Sequence, residues 1–362
     1  MHYLPTRIIY GENAVRKGFV YLNRFGKKAL LVTGKTSARQ SGALDDILNV
    51  LNQLKIEAVS FDSVTENPTL ETVMEGTDLF LANNCDFLIG IGGGSPIDSA
   101  KAISLTAANQ LGKNEIYDLA KFKQNYPVVA VPTTAGTGTE ATQFSVLTDA
   151  ATQKKAGFGH DLAFPALSLV DPKYTLSLPA NITLHTAIDS LSHLLEGIYS
   201  NQRNPLLYPL IFKGVQLIYS NLYKALHNPL LLMARDALMC ASLYGGITIS
   251  HTSTTLQHSI GYPLTSVYGV PHGLANGIVM QPIMELYYPA VKADLDDLFS
   301  YLRISREDFF LWLDGLQMSA GVSIPPEFID AKIPEILASR NMANNPFEVT
   351  ADAIRSILEQ LS

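Results

Sequence analysis

Short apolar runs alternate with amphipathic stretches through the first half of the chain. An uninterrupted apolar run of four or five residues is typical of a buried strand, and apolar positions that recur every three or four residues are typical of a helix. The predicted strands are 29–33, 58–61, 87–91 and 128–131, and the predicted helices are 43–54, 70–84 and one that begins at Pro96. Strands that alternate with helices favour a parallel, doubly wound α/β sheet.

The pattern changes after about residue 178. The segments with helical spacing are 184–199, 205–226, 234–249, 275–288 and 351–361, and convincing strands are absent. Four prolines in or beside 324–345 predict an irregular segment with short helices. The sequence therefore predicts an α/β domain over 1–178 and an all-helical domain over 179–362.

Composition narrows the class of protein. Of the 362 residues 47% are hydrophobic and 16% are charged, which is typical of a globular chain. The net charge of -7 gives no reason to expect nucleic acid or an anionic membrane as partner. Two cysteines cannot build a disulfide framework, no apolar run reaches the ~20 residues that span a bilayer, and the N-terminus lacks a signal-peptide pattern. A cytoplasmic protein is expected.

A glycine-rich segment, GGGSPID at 92–98, follows the clearest predicted strand. Ser95 suits an N-cap, Pro96 suits the first helical position, and Asp98 stands at the capping-box spacing. A helix that begins beside flexible glycines offers free N–H groups to a phosphate. Ile97 stands where the usual dinucleotide fingerprint has its last glycine, and an ordinary tight turn between strand and helix is the alternative.

A second polar loop, PTTAGTGTE at 132–140, follows the strand 128–131. It offers several hydroxyls and two glycines. The carboxyl ends of neighbouring strands form the ligand crevice of a doubly wound sheet, so both loops are expected there.

Four residues of the second half have the chemistry of a metal site. Asp189 and His193 are four apart and project from one helix face. His258 and His272 would be about 21 Å apart on a straight helix. Three imidazoles and one carboxylate suit Zn²⁺ or Fe²⁺, although each histidine alone is more often a surface or core residue. Turn-forming residues between the last two histidines let the chain bend back: Gly261, Pro263, Gly269 and Pro271.

These segments together resemble the iron-dependent (group III) alcohol dehydrogenase family, and the likeness runs from Tyr10 to the C-terminal helices. The matching segments are 92–98, 132–140, 189–197 and 258–277. The resemblance implies a Rossmann-like domain and a helical domain of the dehydroquinate synthase-like architecture, with the active site in the cleft between them. It implies NAD(P)-dependent interconversion of alcohols with aldehydes or ketones, which places dinucleotide binding in 1–178 and metal binding in 179–362.

The resemblance also assigns residues. The metal ligands would be Asp189, His193, His258 and His272, holding Fe²⁺ or else Zn²⁺. The cofactor contacts would be Gly92, Gly93, Gly94, Ser95, Asp98, Thr133, Thr134, Thr137 and Lys155, with Lys154 as the competing alignment for the lysine. A divalent ion in this site polarises the carbonyl oxygen, and the nicotinamide carries the hydride.

This sequence departs from the family pattern at two places. Many members carry a second histidine four residues after the third ligand, assigned to proton transfer, and Tyr262 stands there. A phenol with a pKa of ~10 is a poorer relay near neutral pH, and Tyr262 could equally line the pocket. The first strand ends at Gly34, with no acid to repel a 2'-phosphate; Lys35, Ser37 and Arg39 could receive one. A preference for NADP(H) is expected, with NAD(H) as the alternative.

The main expectation is a metal-dependent alcohol dehydrogenase or aldehyde reductase for small primary alcohols, diols or their aldehydes, as a homodimer or larger homo-oligomer. Two alternatives have the same fold: a Zn²⁺ enzyme like glycerol dehydrogenase, and a reductase for another carbonyl substrate. A dehydroquinate synthase-type lyase would use its nicotinamide only transiently, and a non-catalytic protein would bind neither metal nor cofactor. His185 is expected to be a helix-surface histidine, with an approach to the metal site as the alternative. His251 stands two turns before His258 and could face the cleft, but no role in the substrate pocket is assigned to it.

Overall fold

The first half of the chain forms a parallel sheet. The computed structural model describes residues 2–150, 154–319, 321 and 323–361. Six strands pair in the order β1-β8-β5-β4-β2-β3, all parallel, and β6 and β7 form a separate antiparallel hairpin. The strands are β1 (Arg7–Tyr10), β2 (Lys28–Thr33), β3 (Glu57–Phe61), β4 (Phe87–Gly92), β5 (Val128–Pro132), β6 (Phe144–Asp149), β7 (Lys154–Gly159) and β8 (Leu167–Val170). The predicted Rossmann-like α/β sheet is confirmed.

Helices cover both faces of this sheet because successive strand residues point to opposite sides. Leu30 and Leu88 pack in one apolar cluster with residues of α5 and α6, and Leu31 and Ile89 pack in another with residues of α1 and α4. The helices of this half are α1 (Ala14–Lys17), α2 (Phe19–Leu22), α3 (Ser37–Gln40), α4 (Ala43–Leu54), α5 (Leu70–Ala82) and α6 (Gly94–Asn109).

The predicted start of α6 is wrong by two residues. The helix begins at Gly94 with Gly93 as its N-cap, so Ser95 lies in the first turn and is not the N-cap. No side chain of the described residues caps this end. Glycines have no Cβ to oppose the turn from strand to helix, so the helix can start inside the glycine segment. The capping-box role expected for Asp98 is therefore also wrong.

The second half of the chain is helical, as predicted, and no strand follows Val170 among the described residues. None of the described helices is both long enough and apolar enough to cross a membrane. The helices are α7 (Ala180–Tyr199), α8 (Tyr208–His227), α9 (Leu232–Thr252), α10 (Leu256–Tyr268), α11 (His272–Gly277), α12 (Met280–Leu302), α13 (Arg306–Gly315), α14 (Pro326–Leu337) and α15 (Ala351–Glu359).

Two local expectations in this half are wrong. Gly261 and Pro263 lie inside α10, and the chain turns only where Gly269 ends that helix and Pro271 precedes the next. The segment predicted to be irregular with short helices contains α14, whose 12 residues make it longer than expected. Tertiary packing outweighs the local preference of these residues, since Ile260, Pro263 and Leu264 are all buried.

The chain divides into two compact units. Unit 1 comprises Met1–Thr183 and Tyr223–Met239, and unit 2 comprises Leu184–Leu222 and Cys240–Ser362. Within unit 1, the buried Arg235 donates to Thr183 Oγ1 at 2.6 Å and to the Leu178 carbonyl at 3.1 Å. These bonds explain why the start of α9 belongs with the sheet. The domain boundary at residue 178 stays a prediction.

Candidate metal centre and cofactor loops

One face of α7 carries three ionisable side chains. Asp189, His193 and Glu196 follow one another at spacings of four and three, so they lie on the same side of the helix. Asp189 and His193 are each 4% exposed, and Glu196 is fully buried. A buried helix face with this many charged groups needs partners from other helices.

The partners come from α10 and α11 in the same unit. His258 lies in the first turn of α10, and His272 is the first residue of α11. Gly273 lets α11 approach α7 closely, because a Cβ at this position would lie 1.8 Å from the carbonyl oxygen of His185. Any larger residue at 273 would displace His272 from Asp189.

Three of the four predicted metal ligands, the histidines, converge on the carboxylate of the fourth, Asp189. Its Oδ1 lies 3.7 Å from His258 Nε2, 3.7 Å from His272 Nε2 and 3.9 Å from His193 Nε2. One donor atom each of Asp189, His258 and His272 lies within 4.8 Å of the other two. The side chain of His272 is 24% exposed, whereas the other three are nearly buried. The structure thus contains a possible metal site that opens on the side of His272.

The groups around Asp189 and His258 shift the pKa of each of these two residues. Burial on its own would raise the pKa of Asp189, but His193, His272 and His258 together lower it far below its usual range. Burial opposes protonation of His258, yet the charges of Glu196 and Asp189 and their hydrogen bonds raise its pKa to about 9. The negative charges beside His258 therefore outweigh the effect of its burial.

Two residues of this cluster were missed by the sequence analysis. Glu196 accepts a hydrogen bond from His258 Nδ1, and Asn276 Nδ2 donates to Asp189 Oδ1 at 3.0 Å. Asn276 Nδ2 also lies 3.2 Å from His258 Nε2. The helical spacing of Glu196 from Asp189 could have identified it, whereas Asn276 gives no signal beyond standing one turn after His272.

Tyr262 lies beside the cluster, one helical turn after His258. Its ring stacks on His272 with centroids 5.4 Å apart and an angle of 6° between the planes, and meets His258 edge-on at 6.0 Å. The phenol is therefore next to two predicted ligands. Its catalytic role stays a prediction.

The loops predicted to bind the cofactor follow β2, β4 and β5, which are neighbours in the sheet. Because all three strands are parallel, their carboxyl ends lie along one edge of unit 1. This edge carries every predicted cofactor residue except Lys155, which lies on β7: Gly34, Ser37, Gly92, Gly93, Gly94, Ser95, Asp98, Thr133, Thr134 and Thr137.

The glycine loop (92–98) and the threonine loop (132–140) are in direct contact. The Thr133 amide donates to the Gly92 carbonyl at 2.8 Å. A Cβ on Gly93 would lie 3.2 Å from Thr134 Oγ1, and a Cβ on Gly94 would lie 2.9 Å from Thr137 Cγ2. The two glycines therefore let the threonine hydroxyls approach the N-terminus of α6.

Asp98 bonds to the threonine loop. Its carboxylate accepts from Thr139 Oγ1 at 2.5 Å and from the Val146 amide at 3.0 Å. Burial raises its pKa, and Lys101, Thr139 and Val146 act in the opposite direction. One oxygen of Asp98 holds the loop and the other holds β6, and a direct contact with a cofactor stays a prediction.

The residues expected to select the cofactor lie just after β2. Lys35, Ser37 and Arg39 are exposed, and a side chain at Gly34 would crowd the Val64 carbonyl at 3.2 Å. On β7, Lys155 Nζ donates to Asn67 Oδ1 at 3.0 Å. The side chain of Lys154, the competing candidate, lies outside the described residues.

Comparison with known proteins gives one family along the chain. The model of the family described as iron-containing alcohol dehydrogenase matches residues 5–172, and that of the C-terminal region of the Fe-containing alcohol dehydrogenase family matches 183–362.

Individual relatives are similar over most of their length. The NAD-dependent methanol dehydrogenase of Bacillus methanolicus is 32% identical, with 77% of this chain and 73% of the relative covered. The NADPH-dependent butanol dehydrogenase of Clostridium saccharobutylicum is 30% identical, with 78% and 72% covered. The crystal structure of an iron-containing alcohol dehydrogenase from Thermotoga maritima superposes with a TM-score of 0.93 at 34% identity, with 100% of this chain and 99% of that chain covered.

Proposed function

We propose that this chain, which belongs to the iron-containing alcohol dehydrogenase family, is a metal-dependent alcohol dehydrogenase or aldehyde reductase that prefers NADP(H) and acts on small primary alcohols, diols or their aldehydes. The observation that carries the proposal is the convergence of Asp189, His258 and His272, whose donor atoms lie within 4.8 Å of one another. His193 completes the set through Asp189.

The donor set fits a divalent ion. Three imidazole nitrogens and one carboxylate oxygen suit Fe²⁺ or Zn²⁺ and leave a position for the substrate oxygen. Asp189 offsets one of the two positive charges of the ion, and Asn276 holds the carboxylate in place. The lower burial of His272 supports substrate entry on its side.

The loops of unit 1 fit a dinucleotide. The N-terminus of α6 has no side-chain cap among the described residues, so its N–H groups can receive a pyrophosphate. Thr134 and Thr137 border the same glycines and would donate to phosphate or ribose oxygens. When bound, NADPH and the metal supply the hydride and the Lewis acid of the carbonyl reduction.

The preference for NADP(H) rests on the residues after β2. Gly34 adds no carboxylate there, and Lys35 and Arg39 are exposed cations near the strand end. The two relatives named above carry different cofactors in their names, NAD for the methanol enzyme and NADPH for the butanol enzyme, so the proposal depends on this chain's own side chains.

The experiment is NADPH oxidation with a panel of short aldehydes. The protein is stripped of metal and reloaded without oxygen, with Fe²⁺ or Zn²⁺ in separate samples. We expect activity to return with at least one of the ions, and to be lost in Asp189→Asn and in His272→Ala. His227→Ala removes an exposed histidine of α8 and serves as the matched control, with activity unchanged.

The outcomes separate the competing functions. Aldehyde-dependent NADPH consumption that needs a metal supports the proposal. NADPH binding without net consumption would point to a lyase of the dehydroquinate synthase type or to another carbonyl substrate. Protein that binds no NADPH would overturn the cofactor assignment.

A further inference from the structure

Glu196 is an acidic residue in the interior of unit 2, and it is neither a predicted metal ligand nor a predicted cofactor contact. Its carboxylate is fully buried on α7. Oε1 accepts from the Thr255 amide at 2.6 Å and from the Thr255 hydroxyl at 2.9 Å, and Oε2 pairs with His258 Nδ1. Both oxygens are thus committed to the segment that carries His258.

The contact with Nδ1 determines which nitrogen of His258 can bind a metal. A neutral imidazole has one N–H and one lone pair. Because the carboxylate accepts from Nδ1, the lone pair lies on Nε2. Nε2 is also the nitrogen that faces Asp189 Oδ1 at 3.7 Å and lies 3.2 Å from Asn276 Nδ2, a hydrogen-bond donor.

The other oxygen of Glu196 fixes the start of α10. Thr255 is the N-cap of this helix, but its own side chain makes no capping hydrogen bond. The Thr255 amide donates to Glu196 Oε1. His258 lies three residues later, so one carboxylate holds both the backbone that carries this histidine and the rotation of its ring.

We infer that Glu196 is a positioning residue of the metal centre, which fixes the tautomer and orientation of His258 so that Nε2 can serve as a ligand. This inference rests on the proposed function, because it requires that His258 bind a metal. Carboxylates behind ligand histidines orient the ring and raise its basicity, and their loss lowers metal affinity.

The test is Zn²⁺ affinity, measured by competition with a chromophoric chelator, together with the visible absorption spectrum of the Co²⁺-loaded protein. In Glu196→Gln, an amide NH₂ turned toward Nδ1 favours the proton on Nε2, which blocks the ligand atom. With the opposite orientation, the NH₂ faces the Thr255 amide, and the hydrogen bond from that amide to the side chain of residue 196 is lost. We expect Zn²⁺ binding to weaken by about 10- to 100-fold and the Co²⁺ spectrum to change.

Ser200→Ala is the matched control. Ser200 directly follows α7 and donates to the Thr252 carbonyl at 2.8 Å, so its loss removes a bond to the segment before α10 without touching His258. Its Zn²⁺ affinity should equal that of the wild type. Glu196→Asp keeps the charge but shortens the reach, and a smaller loss of affinity is expected; it provides the test if the Gln variant does not fold.

The results distinguish this inference from the proposed function. The positioning role would be overturned if folded Glu196→Gln bound Zn²⁺ within about twofold of the wild type. If Glu196→Gln does not fold, the same result with Glu196→Asp would overturn it. Equal losses in the Glu196 and Ser200 variants would overturn it too, because they would reflect general destabilisation. If the wild-type protein bound neither Zn²⁺ nor Co²⁺, the proposed metal site would be overturned, and the inference about Glu196 would fail with it.

Discussion

Lys101 Nζ donates a hydrogen bond to Thr139 Oγ1 at 2.6 Å, although Lys101 is completely buried. The same ammonium donates to the carbonyls of Thr139 at 2.7 Å, Phe144 at 2.8 Å and Thr142 at 3.0 Å. Burial lowers the pKa of Lys101 to about 8, against the opposing charges of Asp98 and Glu140. Lys101 of α6 thus anchors the C-terminal end of the threonine loop, the same loop that borders the glycine segment.

Replacing Lys101 by methionine should be strongly destabilising. The change leaves buried carbonyls without their donor and removes the cation that lies 3.9 Å from Asp98 Oδ1, and we expect a loss of about 3–5 kcal/mol in the free energy of unfolding. Urea unfolding measures it. Lys113→Met is the control, because Lys113 pairs with Glu71 at the surface, where water screens the pair, and its loss should leave the stability almost unchanged. A Lys101 variant as stable as this control would contradict the anchoring role.

Gly94→Ala should weaken NADPH binding and leave the metal site intact. The added Cβ would lie 2.9 Å from Thr137 Cγ2, so the Thr137 side chain must shift from its place beside the N-terminus of α6. Overpacking of this kind costs about 1–3 kcal/mol, which predicts roughly tenfold weaker binding of NADPH. Fluorescence titration with NADPH and chelator competition for Zn²⁺ measure the two sites separately.

A control for Gly94 is available in the same unit. A Cβ on Gly112 would meet Glu115 Oε2 at 3.4 Å, an ordinary contact, so Gly112→Ala should bind NADPH like the wild type. If Gly94→Ala also bound NADPH normally, the glycine loop would not be the pyrophosphate site.

Glu140 should give the stability of the chain a pH dependence. Burial raises the pKa of this carboxyl from 4.5 to about 7, and its Oε1 has no hydrogen-bond partner among the described residues. Between pH 4.5 and 7 the folded chain keeps a proton that the unfolded chain has lost, so the free energy of unfolding falls as the pH rises through this range. Above pH 7 the contribution is constant.

Glu140→Gln removes this titration. Relative to the wild type, the variant should gain about 2–3 kcal/mol between pH 5 and pH 8, measured by urea unfolding at both values. Glu115→Gln is the control, because the exposed Lys121 partner lowers the pKa of Glu115 from 4.5, so this carboxyl titrates below the measured range and the difference from the wild type should be nearly the same at pH 5 and pH 8. A constant difference between Glu140→Gln and the wild type would show that the buried carboxyl does not titrate in this range.

The sequence predicted those elements whose pattern is local. The bounds of α4 and the end of β2 follow from apolar spacing and from the glycine after the strand. The hairpin of β6 and β7 was missed, because β6 alternates half-buried and buried positions and includes polar residues, so it has no uninterrupted apolar run. Helix α10 was missed because Gly261 and Pro263 read as turn residues, whereas burial holds them in the helix.

The metal cluster shows a similar division. The spacing of Asp189 and His193 gives their shared helix face directly. Their approach to His272 depends on the contact between Gly273 and the backbone of α7. This contact joins residues far apart in the sequence, so the spacing of residues along the chain does not predict it. Glu196 lies on the predictable face, but its role became visible only with its bonds to Thr255 and His258.

Tyr262→Phe should leave turnover near neutral pH almost unchanged. The variant keeps the ring that stacks on His272 and removes only the hydroxyl. A phenol with a reference pKa of ~10 is a weak proton relay at pH 7, so kcat/KM should fall by no more than about threefold. Metal affinity should also be retained. A loss of a hundredfold or more in kcat with unchanged Zn²⁺ affinity would assign proton transfer to the phenol.

Arg39→Gln should reduce the preference for NADPH without affecting NADH. Arg39 is exposed on α3, directly after the strand end that lacks an acid, and a guanidinium there can bond a 2'-phosphate that NADH does not have. A hydrogen bond to a charged group contributes about 1.5–3 kcal/mol, which corresponds to roughly 10- to 100-fold in kcat/KM for NADPH. Initial rates at subsaturating cofactor measure the ratio. Arg16→Gln, an exposed arginine of α1, should change neither value. Equal effects of Arg39→Gln on both cofactors would overturn the assignment, because only one of them carries the phosphate.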